Sequence, residues 1–256
     1  MDWKLTKSLY IIVFLLMNVA LIYIYLNERQ ESVEEIQESP DVLSMTNIDM
    51  SNIEEYEPVE MNVLTGAIHD FSEDDNRNSE VDENNVSGTK ITEEFEDDGP
   101  EMTEQGLQDY IDENVYRGHD YQYDNVMSTS DQVIFNQLYE NFPIFNHESA
   151  RIIFHGEGRQ ADAMEQTRLR DLEENEYTLS LTAKSPREIV EELYERERIS
   201  STAVIDEARL GYYIILTEEN SALLRPKWEM HVTDQDISKT IYVEATTDSG
   251  EIIESE

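Results

Sequence analysis

The residues to test first for chemistry are the five histidines, His69, His119, His147, His155 and His231, because imidazole titrates near neutral pH and ligates metals. None of them stands at ligand spacing from another. His147-Glu148 opens like the H-E-x-x-H of a zinc peptidase, but Ala150 and Arg151 stand where the second histidine should fall. Ser87-Gly88-Thr89-Lys90 matches the S-x-x-K of acyl-transfer enzymes. A lysine base needs a desolvated setting that lowers its pKa. Lys90 lies beside Thr92, Glu93 and Glu94 in a strongly acidic stretch, so the match reads as coincidence. Asp74-Asp75-Asn76-Arg77-Asn78 begins like a calcium loop, then fails: Ser79 replaces the required glycine and Asn85 the bidentate glutamate. There is no G-x-S-x-G, P-loop or G-x-G-x-x-G. The sequence therefore predicts no catalytic, cofactor or metal site, and no enzyme.

One polar group remains, and its surroundings make it informative. Asn18 interrupts the apolar run LYIIVFLLMNVALIYIYL, Leu9 to Leu26. With Ser8 the run is roughly 28 Å long as a helix, close to the hydrocarbon thickness of a bilayer. Lys4 and Lys7 precede it and Glu28, Glu31, Glu34 and Glu35 follow, so the positive-inside rule places the amino terminus in the cytoplasm. Trp3, Tyr10, Tyr23 and Tyr25 sit near its ends, where amphipathic rings favour the headgroup zone. The bulky IYIYLNERQ that closes it lacks the small residues of a signal-peptide cleavage site, so a retained anchor is expected. An amide in hydrocarbon needs a partner, and a facing helix commonly supplies it. A lone anchor tolerates one amide at modest cost; the reading favoured is a helix–helix contact through Asn18 and the residues on its face, Ile11, Phe14, Leu15, Leu21, Ile22 and Tyr25.

Composition narrows the function classes. With 58 acidic against 18 basic residues the formal net charge is −40, which opposes nucleic-acid binding and peripheral docking on anionic lipid. Cysteine is absent, which removes disulfides, thiolate nucleophiles and thiolate metal sites.

The elements divide the chain as follows: a cytoplasmic tail over 1–7, a transmembrane helix over 8–26, an acidic and largely flexible extracytoplasmic segment over 27–101, a first α+β module over 102–183 and a second over 184–256. Dense charge of one sign extends residues 27–101. Apolar islands within it, Val42–Met45 and Met61–Ile68, are placed to dock on the folded part. A helix is predicted over 103–116 from Leu107, Tyr110, Ile111 and Val115. A second is predicted over 131–142, with Asp131 as N-cap and Pro143 as terminator. Arg151–His155 and Tyr177–Ala183 read as strands. Ser185-Pro186-Arg187-Glu188 forms a capping box that starts a helix through Ile189, Val190, Leu193 and Tyr194. Strands follow over 211–217, 227–232 and 240–247, and a turn at Asp248-Ser249-Gly250 leads into a short last strand. Helix followed by antiparallel sheet is an α+β arrangement, and the earlier block repeats that order more faintly.

The opening MDWKLTKSLYIIVFLLMN, with Trp3 and the spaced lysines, resembles the start of YycI (WalI-type) proteins. The carboxy-terminal run is similar to them too, in Leu210-Gly211-Tyr212, Pro226-Lys227-Trp228 and Asp248-Ser249-Gly250-Glu251. Trp3, Leu210, Gly211, Tyr212, Pro226, Trp228 and Gly250 are accordingly the expected structural motif residues. The resemblance implies a single-pass protein with PepSY-like extracytoplasmic modules. It also implies partners, a WalK-type sensor histidine kinase and a YycH-type protein in the membrane, with a homo- or hetero-dimer open, and a role in tuning kinase output on cell-wall metabolism. Two other classes stay open on residues alone: a tethered extracellular binding or inhibitor module, and a membrane-tethered envelope hydrolase.

Overall fold

Residues 14–18, 42–53, 55–73, 86–96, 99–145, 147–246 and 252–255 are described by the computed structural model. The chain divides into two units, Met1–Asn47 and Ile48–Glu256. In the first, residues 14–18 are helical and Val42–Met45 form a 3-10 turn. No helix among the described residues is long and apolar enough to cross a membrane. The expected span, 8–26, lies outside the described residues except for 14–18.

The second unit is mostly sheet. Its first strands come from the acidic stretch: β1 (Glu60–Met61), β2 (Leu64–Ile68), β3 (Val86–Ser87) and β4 (Lys90–Glu94). Helix α1 (Glu104–Asn114) follows, capped by the Thr103 hydroxyl, which accepts from the Gly106 N–H at 3.2 Å. Then come β5 (Tyr121–Asp124), β6 (Gln132–Tyr139), β7 (Phe142–Phe145), β8 (Arg151–His155), β9 (Ala163–Gln166), β10 (Leu169–Glu174) and β11 (Leu181–Thr182). Helix α2 (Pro186–Glu195) has the full capping box expected of Ser185 and Glu188. The chain closes with β12 (Val204–Glu218), β13 (Ser221–Asp234), β14 (Ile237–Glu244) and β15 (Ile252–Ser255). The architecture is α+β, with a mainly antiparallel sheet and few helices.

Two halves repeat one plan. α1 is followed by a meander in which β5 pairs β6, β6 pairs β8 and β8 pairs β9, all antiparallel. α2 is followed by β12, β13, β14 and β15, each pairing the next in the same sense. The halves join through β7, which leaves β6 as a hairpin and runs parallel to β12, with Tyr212 opposite Ile144 and Tyr213 opposite Phe145. Strands from the acidic stretch extend the sheet in both halves. β2 lies between β13 and β10, and β4 pairs β9, so the island at 61–68 docks as expected.

Burial explains the helices. α1 turns Leu107 and Ile111 inward onto Tyr121, Phe135, Ile152, Phe154 and Met164. Ile189, Val190 and Leu193 of α2 are fully buried, at about 1.5–3 kcal/mol each.

Two sequence expectations fail, each for a physical reason. Residues 131–142 are not a helix but β6 and the turn into β7. Val133 to Gln137 are buried without interruption, which a short helix with one apolar stripe could not achieve. Glu140 and Asn141 both take positive φ (49° and 74°), the pair of left-handed residues that closes a two-residue hairpin. Tyr177–Ala183 alternates as a strand would, yet only Leu181 and Thr182 pair, with β1. Tyr177 and Leu179 meet no facing surface and stand in solvent.

Candidate functional site

The two long motifs of the carboxy-terminal half lie face to face on one ladder. Leu210 is opposite Trp228, Gly211 opposite Lys227 and Tyr212 opposite Pro226. Strand alternation sends Leu210, Tyr212, Pro226 and Trp228 to one side of the sheet and Arg209, Gly211, Tyr213, Lys227 and Glu229 to the other.

On the first side Trp228 is nearly buried. Its Nε1 donates to the Lys184 carbonyl at 2.9 Å, tying the sheet to the entry of α2. The Tyr56 ring meets it edge-on at 5.5 Å, and the Tyr56 hydroxyl donates to the Ala183 carbonyl at 2.8 Å. Beside them lies a hollow of about 410 Å³ lined by Asn52, Tyr56, Pro186, Glu207, Leu210 and Trp228, among others. Burial raises the Tyr56 pKa, so its hydroxyl stays a neutral donor. Tyr212 packs edge-on against Tyr139 and Phe142 across the junction of the halves.

On the second side the backbone of β7 passes so close that a Cβ on residue 211 would lie against the Pro143 carbonyl and 2.7 Å from Phe145 Cζ. Glycine is required there by approach, not by dihedral. Around that gap sits a buried ionic cluster. The Arg209 Nε donates to Glu229 Oε2 at 2.6 Å, and its Nη2 bonds Asp124 Oδ1 at 3.0 Å and Glu229 as well. Its guanidinium lies 5.5 Å over the Phe145 ring. The Tyr242 hydroxyl donates to Glu229 Oε1 at 2.9 Å, and Asn136 donates to Asp124. Asp124 also accepts from the Val126 and Met127 N–H groups at 3.0 and 3.1 Å. Lys227, wholly buried, sits 5.6 Å over Tyr213, and Arg225 lies 3.8 Å from Glu244. Burial works against the Arg209 charge, but Glu229 and then Asp124 overcome it, and its pKa is raised. Burial, then Glu229, holds the Tyr242 hydroxyl far above its usual range. Asp124 belongs to the first half and Arg209 and Glu229 to the second, so the cluster fastens one to the other.

The histidines occupy separate settings. His69 packs between Phe71 and Tyr116, His119 is exposed beside Asp120, and His155 pairs across the sheet with Gln132. His147 accepts from the Ser149 N–H, and burial lowers its pKa. His231 lies between Thr240 and Glu229. Lys90 of the S-x-x-K match is engaged by Glu165 at 2.7 Å. Among the described residues no three His, Asp or Glu gather as a metal site; the calcium-like run at 74–85 lies outside them.

Of the residues expected on a membrane-facing stripe, Phe14, Leu15 and Asn18 are described, on one helical turn, and the Asn18 Nδ2 donates to the Phe14 carbonyl at 2.7 Å. Ile11, Leu21, Ile22 and Tyr25 lie outside the described residues, as do Trp3 and Gly250. Sequence reading missed Asp124, Arg209, Glu229 and Glu244. A signal was present: Lys227 and Glu229 alternate with Trp228 and Met230 in KWEMHV, and a strand buried on both faces forces such charges inward to find partners.

The model of the family described as "YycI protein" matches residues 26–246, most of the chain. The chain belongs to the YycI family. Proteins of this family are accessory regulators in the WalK two-component system, and that is the class of this YycI chain. The Leu210-Gly211-Tyr212 and Pro226-Lys227-Trp228 motifs of the resemblance are thus a single structural feature, the ladder described above. No curated protein matches the chain significantly. Among solved structures, an uncharacterized protein from Eubacterium rectale ATCC 33656 is similar, at 9% identity, covering 82% of this chain and 89% of that chain with a TM-score of 0.47. A likeness of that extent carries nothing about function.

Proposed function

We propose that this YycI chain is a single-pass membrane protein that regulates a WalK-type sensor kinase without catalysis, by packing its anchor beside kinase membrane helices. Residues 8–26 are the anchor, with the amino terminus in the cytoplasm and residues 27–256 outside. A YycH-type protein is the second partner. A regulator of this kind shifts a kinase between signalling states only by binding one state better than the other. The folded region outside, its two halves fastened together by the Arg209 cluster, supplies partner binding and thereby brings the anchor to its partner.

The observation that carries this reading is the amide of Asn18 in an otherwise apolar run of a YycI chain. One N–H is engaged by the Phe14 carbonyl. The side-chain carbonyl can accept from a neighbouring helix, a contact worth about 0.6–2 kcal/mol in a membrane. Asn18→Leu keeps the apolar surface and removes that contact. A membrane two-hybrid assay against the kinase should show weaker association; unchanged association would move the contact to the outer region.

A further inference from the structure

The stretch that alternated without becoming a strand is the most exposed apolar feature of the folded unit. Tyr177 is 96% exposed, Leu179 81% and Leu181 40%, at every second position. The other exposed large hydrophobics among the described residues of this unit, Leu216 and Ile237, stand singly. An isolated exposed leucine is ordinary, but a row of three large apolar side chains is a surface waiting to be covered.

The backbone is already shaped for a partner. Asn175 turns the chain, accepting from the Tyr177 N–H through Oδ1 at 2.9 Å and from the Thr178 N–H through its carbonyl at 3.1 Å. At the other end the Ala183 N–H donates to the Val59 carbonyl at 2.8 Å. Between these pins β11 pairs β1 in a sheet of two strands, so its second edge has no strand beside it among the described residues. Tyr177 sits in that turn, and beyond it Leu179 and Leu181 stand at alternate positions leading into the free edge of β11, the geometry by which a sheet accepts one more strand.

Charge selects the occupant. The stretch from Asp171 to Ala183 contains Asp171, Glu173, Glu174 and Glu176 and no lysine or arginine. The sequence leading through β1, residues 54–63, contains Glu54, Glu55, Glu57 and Glu60, again without a cation. A second copy of this chain would bring the same carboxylates against these, and an anionic lipid surface would be repelled likewise. We propose that Tyr177–Leu181 and the open edge of β11 dock an extended segment of a different protein, one that alternates apolar residues with lysine or arginine. The surface lies outside the predicted anchor, so its failure and that of the Asn18 contact are separable.

The test places a photo-crosslinking benzoylphenylalanine at residue 179 of the full chain in the cells that make it. The expected product joins this chain to another protein, and the crosslinked peptide maps to a segment containing lysine or arginine. Replacing Glu173, Glu174 and Glu176 by lysine should lower the yield about fivefold, the order expected when three exposed charge pairs are lost. Circular dichroism of this exposed-site variant reports its fold. A parallel run at raised salt, needing no substitution, should lower the yield in the same direction. A product with a second copy only, with lipid only, with a segment lacking cations, or no product, overturns the proposal. So does a yield indifferent to both charge reversal and salt.

Discussion

Replacing Arg209 by methionine probes the junction of the two halves most severely. Methionine keeps most of the side-chain length and removes the charge, leaving Glu229, wholly buried, and Asp124, 1% exposed, without their common cation. Removing one partner of a buried ion pair costs about 3–5 kcal/mol, because the remaining charge stays desolvated. Asp124 retains its two backbone N–H donors and Asn136, and Glu229 keeps the Tyr242 hydroxyl, which argues for the lower part of that range. Total stability of such a domain is about 5–15 kcal/mol, so the loss is a large fraction. In a unit of this size each kcal/mol moves Tm by about 2–4 °C, so a loss of about 3 kcal/mol predicts a fall of about 6–12 °C. Urea and thermal unfolding of residues 48–256, the compact unit, would measure it. A second variant that adds Glu229→Gln should recover part of the loss, since the pair is coupled. A loss below about 1 kcal/mol, the range of exposed ion pairs, would show that the cluster is hydrated and fastens nothing.

Gly211→Ala should cost about 1–3 kcal/mol in the same unfolding assay, because the added methyl meets the β7 backbone and the Phe145 ring; an unchanged midpoint would mean β7 does not pass there. Ser185→Ala removes the capping box of α2 and should cost about 1 kcal/mol, read by urea unfolding. Alkaline pH offers a further check. Burial pushes the Tyr121 pKa up to about 12 and raises Tyr110, Tyr212 and Tyr242 as well. Their folded values exceed the unfolded value of 10.0, so the neutral rings contribute their full stability below pH 10.0 and lose it as pH climbs through the folded values. Tyrosinate absorbance from these rings should therefore rise only with the loss of circular dichroism; ionisation of Tyr121 near pH 10.0 with the fold intact would contradict its burial.

Sequence alone revealed what is set locally. The capping box at Ser185, the α1 stripe of Leu107 and Ile111 and the β13 and β14 cores follow from spacing, and the structure has them. It misjudged residues 131–142, where a short apolar run fits both periods and the deciding feature was the left-handed pair Glu140-Asn141. It misjudged Tyr177–Leu179 in the opposite way, because alternation describes what a strand would do if a neighbour existed. The Arg209 cluster was least legible. Its members come from β5, β12, β13 and β14, and only the fold brings Asp124 to a residue so distant in sequence. The repeated helix-and-meander plan was visible only as order, since no residue pattern recurs between the halves.

The most direct measurement uses the absence of cysteine from this YycI chain. Single cysteines placed one at a time through residues 11–25, with matching cysteines in the kinase membrane helices, would be oxidised in the membrane and the crosslinked products quantified. The anchor reading predicts products at Ile11, Phe14, Leu15, Asn18, Leu21, Ile22 and Tyr25 and little at Val13, Leu16, Ala20 or Ile24, a helical stripe centred on the amide. Products spread evenly around the helix, confined to the opposite face, or absent while regulation persists would contradict it.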